Sequence, residues 1–339
     1  MIKISIWIVT FRRPVLLERA LRSVLAQTFS EWEGRIVNDD PEDGRVGDLI
    51  ARLGDSRLKL HQPIQKRGAA GSFNLAFTAF DCEYSALLED DNWWEPSFLQ
   101  TMMKRLDANP DVDLAVGNER IWEETSSGDW INTRRTIWPE SPDQLFSTPL
   151  DLACGSAKLC NSSMLVRRLG RVPFLIPDDL PVDVTEHFRE RYVTNPFLLI
   201  NEPLVNYAET QHTNRQKGGF IWGAYQTLLT ASCFCSLPPV ARTHLAQRLA
   251  SAEAGRCTPR ITSLATTALF FPEARAIWRC LNWRQRARVL LTWIRRFPLL
   301  LRTSRFVRSS IGKRHFEFLL ESPFNKALYE RTNINAGPF

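Results

Sequence analysis

The sequence predicts an α/β fold: a mostly parallel sheet flanked by helices, followed by a C-terminal helical extension. Three observations predict it. Short apolar runs alternate with amphipathic stretches from Lys3 to about Val116, the pattern of a sheet covered on both faces. One of those runs, Ser85 to Leu88, ends in Glu89-Asp90-Asp91, at the mouth of a strand, where open α/β sheets place their ligands. From Phe220 onward the pattern turns helical, punctuated by Pro238, Pro239, Pro259, Pro272 and Pro298.

Ile4, Ile6 and Ile8 alternate with Lys3, Ser5 and Trp7, so Lys3 to Val9 reads as the first strand. Pro14 sits where a helix opens, and Leu17, Ala20, Leu21, Val24 and Leu25 supply its apolar stripe. Trp32 to Asn38 reads as the second strand, ending in a turn rich in breakers and acids, Asp39-Asp40-Pro41-Glu42-Asp43-Gly44. A helix is expected around Gly47 to Leu53 and a strand around Leu58 to His61. A loop through Lys66, Arg67 and Gly68 then leads to a helix from about Gly71 to Phe80. After the acidic cluster, Pro96 opens a helix with Phe98, Leu99, Met102, Met103 and Leu106 on one face. Val112 to Val116 reads as the fifth strand. Glu119 to Trp138 reads as a hairpin turning at Gly128, whose Trp122, Trp130 and Trp138 are either core or a platform for a sugar ring or lipid. Met164 to Val166 and Phe197 to Ile200 read as further strands, and Asn206 to Lys217 as a polar loop.

With 339 residues, 44% hydrophobic and 24% charged, the chain has room for one large α/β domain plus an appendage, or for two domains. It has no uncharged apolar run of about 18 residues, so no transmembrane helix is expected. The apolar N-terminus lacks a small-residue cleavage site and reads as a strand, not a signal peptide. Seven cysteines without a Cys-x-x-Cys pair argue against a disulfide framework or zinc site and for a reducing cytoplasm.

The net charge of +6 is unevenly spread. From Ala241 to Phe339 there are 18 Lys and Arg against 5 Asp and Glu, whereas the first 240 residues are net negative by 7. Between Ile277 and Arg308, Trp278, Trp283, Trp293 and Phe297 are interleaved with nine arginines. Such a mixture suits a helix lying on an anionic membrane surface. It equally suits a helical cap with a solvated basic face. Nucleic acid is the weakest reading, because no reader motif accompanies the charge.

Three adjacent carboxylates repel one another, so a cation is expected at Glu89-Asp90-Asp91. Hard oxygen ligands suit Mg2+ or Mn2+, which take substrate phosphates as further ligands. No Gly-x-Gly-x-x-Gly follows the first strand, which removes the dinucleotide reading.

Five motifs carry a resemblance: Ile6 to Pro14, Ser23-Val24-Leu25-Ala26-Gln27-Thr28-Phe29, Val37-Asn38-Asp39-Asp40, Lys66-Arg67-Gly68 with Asn74, and Glu89-Asp90-Asp91. Their order and spacing resemble the family 2 glycosyltransferases, closely from Ile2 to Asn118 and more loosely from Cys154 to His212. The resemblance implies a GT-A (Rossmann-like) fold, with a nucleotide-sugar half at 1–118, an acceptor half at 119–219 and a basic helical region at 220–339. By position it implies that Thr10, Phe11 and Arg12 line the nucleotide pocket, with Asn74, Glu89 and Asp90 contributing to the donor site. It implies that Asp39 accepts from the base, which suits uracil or thymine, although guanine also offers donors. Arg67 would face the diphosphate, and Asp91 would ligate the metal, joined by His212. Asp183 would be the catalytic base, with Glu186 as the alternative one turn along.

The sequence departs from the family pattern at Arg12, Pro41 and Phe73, and the Gln-x-x-Arg-Trp signature of processive members is absent. The expected activity is therefore a metal-dependent, inverting, non-processive transfer. The donor would be a nucleotide-diphosphate sugar of UDP, dTDP or GDP type. The acceptor would be a lipid-linked or cell-envelope glycan or a small molecule. The expected location is cytoplasmic, peripheral at the inner face of the plasma membrane. Two rivals are a catalytically silent GT-A scaffold and a sugar-phosphate nucleotidyltransferase. The latter calls for a Gly-rich loop where this chain has Thr10-Phe11-Arg12-Arg13.

Overall fold

β1 (Ile4–Thr10) is the strand on which the sheet is built, and all seven of its residues are buried. A strand covered on both faces needs a continuous apolar run, which Ile4, Ile6, Ile8 and Val9 supply. α1 (Pro14–Leu25) follows, with Pro14 in its first turn, and lies in the core through Leu17, Ala20, Leu21 and Val24. Next come β2 (Trp32–Asn38), α2 (Arg45–Leu53), β3 (Leu58–His61), α3 (Gly68–Thr78), β4 (Tyr84–Glu89), β5 (Trp93–Trp94) and α4 (Phe98–Asp107). The rest of the sheet is β6 (Leu114–Glu124), β7 (Trp130–Thr136), β8 (Gln144–Phe146), β9 (Met164–Arg167) and β10 (Phe197–Glu209). The computed structural model describes residues 2–78, 82–147, 153–154, 159–167, 174–194, 196–211, 220–251 and 260–334.

The sheet runs β3-β2-β1-β4-β9-β6-β10-β5, with β7 beside β6 and β8 beside β10. β1 pairs in parallel with both β2 and β4, and β6 pairs in parallel with β10. β9 is antiparallel to both neighbours, β4 and β6. One sheet therefore passes through both halves expected at 1–118 and 119–219.

The hairpin turns at Gly128, whose φ of 85° favours glycine, and the Thr125 amide donates to the Asp129 carbonyl across it at 2.8 Å. Some boundaries differ from the sequence reading. α3 starts at Gly68, three residues early, because its first amides are capped by an acid from another strand. α4 starts at Phe98 behind Ser97, not at Pro96. β10 continues to Glu209, so Asn206 to Glu209 lie in a strand and Asn206 is buried. Its register shifts on both sides of Pro203, which cannot donate to the ladder, and this break hid the strand's second half.

The chain divides into two compact units: Met1–Ser147, Lys158–Thr185 and Asn195–Asn214 in one, and Thr148–Ala157, Glu186–Thr194 and Arg215–Phe339 in the other. A short helix, α5 (Thr185–Arg189), crosses that division in sequence. After β10 the described regular structure is helical: α6 (Phe220–Ser236), α7 (Pro239–Ala250), α8 (Ile261–Phe270), α9 (Arg275–Cys280), α10 (Trp283–Arg295), α11 (Phe297–Arg308), α12 (Ser310–Glu321) and α13 (Pro323–Ile334). α6 is buried throughout from Ala224 to Phe234 and forms the centre of the second unit. No described helix is long and apolar enough to cross a membrane.

The tryptophans of the basic stretch separate. Trp293 stacks on Trp278, ring centres 5.5 Å apart, and donates to Thr266 Oγ1 at 3.1 Å. Trp283 and Ile294 of α10 stand 73% and 74% exposed, and Phe297 and Leu301 of α11 are also exposed. Trp293 is thus a packing residue, and a different set of apolar side chains reaches the surface.

Candidate functional site

The parallel pairing of β1 with β2 and β4 sets Thr10 beside Asn38 and Val9 beside Glu89. The loops after all three strands leave from the same end of the sheet. That brings Thr10, Asp39 and the acidic cluster together, although they are far apart in sequence.

The three acids do not act as one cluster. Asp90 is fully buried; its Oδ2 accepts from the Thr10 hydroxyl at 2.7 Å and from Arg13 Nε at 3.2 Å. Its Oδ1 accepts from Arg13 Nη2. The same guanidinium donates through Nη1 to Asp91 Oδ2 at 2.9 Å. Glu89 turns toward β9: Ser162 Oγ accepts from the Glu89 amide at 3.0 Å and donates to Glu89 Oε2 at 3.3 Å. Asn92 also donates to Ser162 Oγ at 2.9 Å and accepts from the Ala208 amide at 2.9 Å. Burial pushes the Asp90 carboxyl up to about 7; Arg13 pulls it down, the charge on Asp91 adds to the rise, and the Thr10 hydrogen bond opposes it.

A divalent cation was expected at these acids, and the donor set accommodates one at Asp91. Its side chain retains 17% exposure and offers hard carboxylate oxygen. Asp90 fits poorly as a ligand, because both its oxygens are engaged by Thr10 and Arg13. Arg13 and Ser162 were missed in the sequence. For Arg13, the signal was a basic residue immediately before the helix that faces three acids.

On the other side of Thr10, Asp39 is buried and holds the start of α3. Oδ1 accepts from the Arg67 amide at 2.8 Å and from Ser72 Oγ at 3.0 Å, and Oδ2 from the Gly68 amide at 3.0 Å. A carboxylate has about four lone-pair sites, so three donors leave room for one more. Asn74 spends its whole side-chain amide on the segment before Asp183. It donates to the Ile176 carbonyl and to Asp178 Oδ1, both at 2.7 Å, and accepts from the Ile176 amide at 3.2 Å. Arg12 adopts a left-handed φ of 59° and pairs with Asp40, holding that carboxyl below the usual carboxylate range. Phe11 is exposed, with Lys66 Nζ 4.1 Å from its ring centre, and the Arg67 side chain is exposed beside it in sequence.

Asp183 lies half-buried in the 3-10 turn Val182–Val184, and Glu186 in the first turn of α5. The Thr185 hydroxyl closes the turn by donating to the Val182 carbonyl at 2.9 Å. His212 lies outside the described residues. Of the three hairpin tryptophans, Trp138 is core, while Trp122 and Trp130 are half-buried against Trp93.

A family model described as Glycosyl transferase family 2 matches residues 5–168. An uncharacterized glycosyltransferase of Nostoc sp. is 32% identical over 133 residues, 37% of this chain and 41% of that protein. The UDP-Glc:alpha-D-GlcNAc-diphosphoundecaprenol beta-1,3-glucosyltransferase of Escherichia coli is 27% identical over 118 residues, 35% of this chain and 46% of that one. The chain thus spans less than half the length of these curated relatives. Among solved structures, TarS of S. aureus in complex with UDP aligns with a TM-score of 0.55. That alignment covers 98% of this chain and 92% of TarS at 12% identity, a likeness of fold.

The buried Asp90 makes stability depend on pH in a definite direction. Its folded value, about 7, lies above the unfolded value near 3.8, so the folded state holds the extra proton between them. Folding is then favoured least once the group is ionised, and its cost grows as pH rises from about 4 to 7. Asp90→Asn removes that titration. Urea denaturation should show the variant gaining on the wild type by up to about 1.4 kcal/mol per pH unit over this interval, levelling off above it. A pH-independent difference would refute the assignment.

Proposed function

We propose that this chain, whose residues 5–168 match the glycosyl transferase family 2 model, carries out inverting, non-processive transfer of a hexosyl or related sugar, dependent on Mg2+ or Mn2+, from a nucleotide-diphosphate donor to a hydroxyl acceptor. The observation that carries this reading is the convergence of Thr10, Asp39 and Asp91 at one end of the β2-β1-β4 sheet. Asp39 has one acceptor position left for the base, and Phe11 with Lys66 offers a ring and a cation beside it. The exposed Arg67 carries charge suited to the diphosphate. Asp91 would hold the metal together with phosphate oxygens of the donor, with His212 as a further ligand. When bound, that ion neutralises charge developing on the departing diphosphate.

Asp183 takes the proton of the acceptor hydroxyl while the diphosphate leaves from the opposite face of the sugar; Glu186 is the alternative. Such a base contributes roughly 10²–10⁴ in rate. The acceptor we infer is a lipid-linked glycan, in keeping with the diphosphoundecaprenol substrate named for the E. coli relative. The enzyme would then work in the cytoplasm at the inner, anionic membrane face. Trp283, Ile294, Phe297 and Leu301 would enter the lipid headgroups, with Arg284, Arg288, Arg295 and Arg302 around them.

Three measurements test this. Asp91→Ala should abolish transfer while leaving the fold intact by circular dichroism, and chelator should do the same to the wild type. Equal turnover with and without chelator would remove the metal from the reaction. Asp183→Asn keeps the shape but cannot take a proton, so donor binding should persist while transfer falls by about 10²-fold or more. Near-normal transfer there, with loss in Glu186→Gln, would move the base one turn along. Finally, the protein should sediment with vesicles containing phosphatidylglycerol and not with phosphatidylcholine alone. Salt should weaken this binding, since each basic residue contributes about 1 kcal/mol through a screened field. Indifference to anionic vesicles at low salt would leave the basic helices as a cap only.

A further inference from the structure

One motif of the sequence, Ser23-Val24-Leu25-Ala26-Gln27-Thr28-Phe29, has no part in the chemistry above, and its hydrogen bonds show what it does. Ser23 Oγ accepts from the Trp94 amide at 3.1 Å. Gln27 donates to the Glu95 carbonyl at 2.8 Å and accepts from the Leu99 amide at 3.0 Å. The Thr28 amide donates to the Pro96 carbonyl at 2.9 Å. The last turn of α1 and the residues just after it thus hold the chain after the acidic cluster, from residue 94 to 99.

Arg19 lies on α1 one helical turn before Ser23 and reaches the acids. Its Nη2 donates to the backbone carbonyl of Asp91 at 2.6 Å. Its guanidinium carbon lies 3.8 Å from the ring centre of Trp93 and 4.0 Å from that of Trp130. Trp122 packs on Trp93 at 5.3 Å and donates to Asn206 Oδ1 at 2.7 Å, which anchors the aromatic group to β10. A long side chain that would otherwise sample many rotamers is therefore fixed by two indoles. Burial lowers its pKa to about 10, and it remains cationic at neutral pH.

We propose that Arg19 is a positioning residue for transfer: clamped between Trp93 and Trp130, it fixes the Asp91 backbone and so aims the Asp91 carboxylate at the donor diphosphate. The inference rests on the glycosyltransferase reading and on Asp91 as metal ligand. Arg13 restrains the carboxylates directly, whereas Arg19 restrains the main chain that carries the outer one. A displacement of about 1 Å at such a group is enough to cost about 10²-fold in a positioned reaction.

The test uses the full chain and calorimetric titration with UDP, dTDP and GDP in turn, each with Mn2+ and with chelator. Arg19→Met leaves an apolar stem between the indoles and removes the cation and the hydrogen bond. Its chelator-state affinity should stay within about twofold of wild type, because the residues proposed for the base, Phe11 and Asp39, lie outside α1. The gain in affinity conferred by Mn2+ should fall at least tenfold. Arg19→Lys keeps the charge without the planar fork and should lose less; if Arg19→Met does not fold, the lysine variant is judged by the same two affinities. A full Mn2+ gain in the variants overturns the proposal. An equal loss with and without Mn2+ also overturns it, since that marks a scaffold residue. Wild-type protein that binds none of the three nucleotides in either condition overturns the donor reading itself, and the inference with it.

Discussion

A carboxylate without access to water, Asp90, is the constraint on which the site depends. Its charge is acceptable there only because Thr10 and Arg13 reach it. Thr10 is the last residue of β1, and Arg13 the residue before α1, so one buried group ties strand, helix and acidic turn together. The same arginine reaches Asp91, whose outer position is what remains for a ligand. The structural acid and the chemically available acid are thus neighbours in sequence with opposite surroundings.

Asp39 repeats the arrangement at the end of β2. It accepts from two amides and a hydroxyl around the start of α3, supplying a cap that no residue of the local sequence provides. Capping from a distance sets both the loop carrying Lys66 and Arg67 and the helix whose Asn74 holds the segment leading to Asp183. Asp39 and Asp90 therefore each have a structural duty of their own.

The helical unit follows a different logic. Its core is apolar and organised on α6, and its surface carries the basic charge of the chain. Packing chose among the tryptophans: Trp278 and Trp293 satisfy each other as a stacked pair, while Trp283 is left outside. Composition alone treats the three alike, because it records how many indoles there are and not which face each occupies.

The order of strands and helices, the α/β class and the helical end were legible in the sequence because they rest on local terms: period two or 3.6, proline at helix starts, breakers at turns. The strand-end positions of Thr10, Asp39 and Asp91 followed from the same patterns. Other features required the tertiary structure. β9 runs against its neighbours, and β10 continues past Pro203, because pairing partners are chosen across the sheet. Arg13 meets Asp90 across 77 residues, and Ser162 meets Glu89 across 73. A run of three acids declares that charge must be balanced, but which group balances it depends on strand pairing. Local periodicity carries no record of that choice, and only the folded sheet makes it.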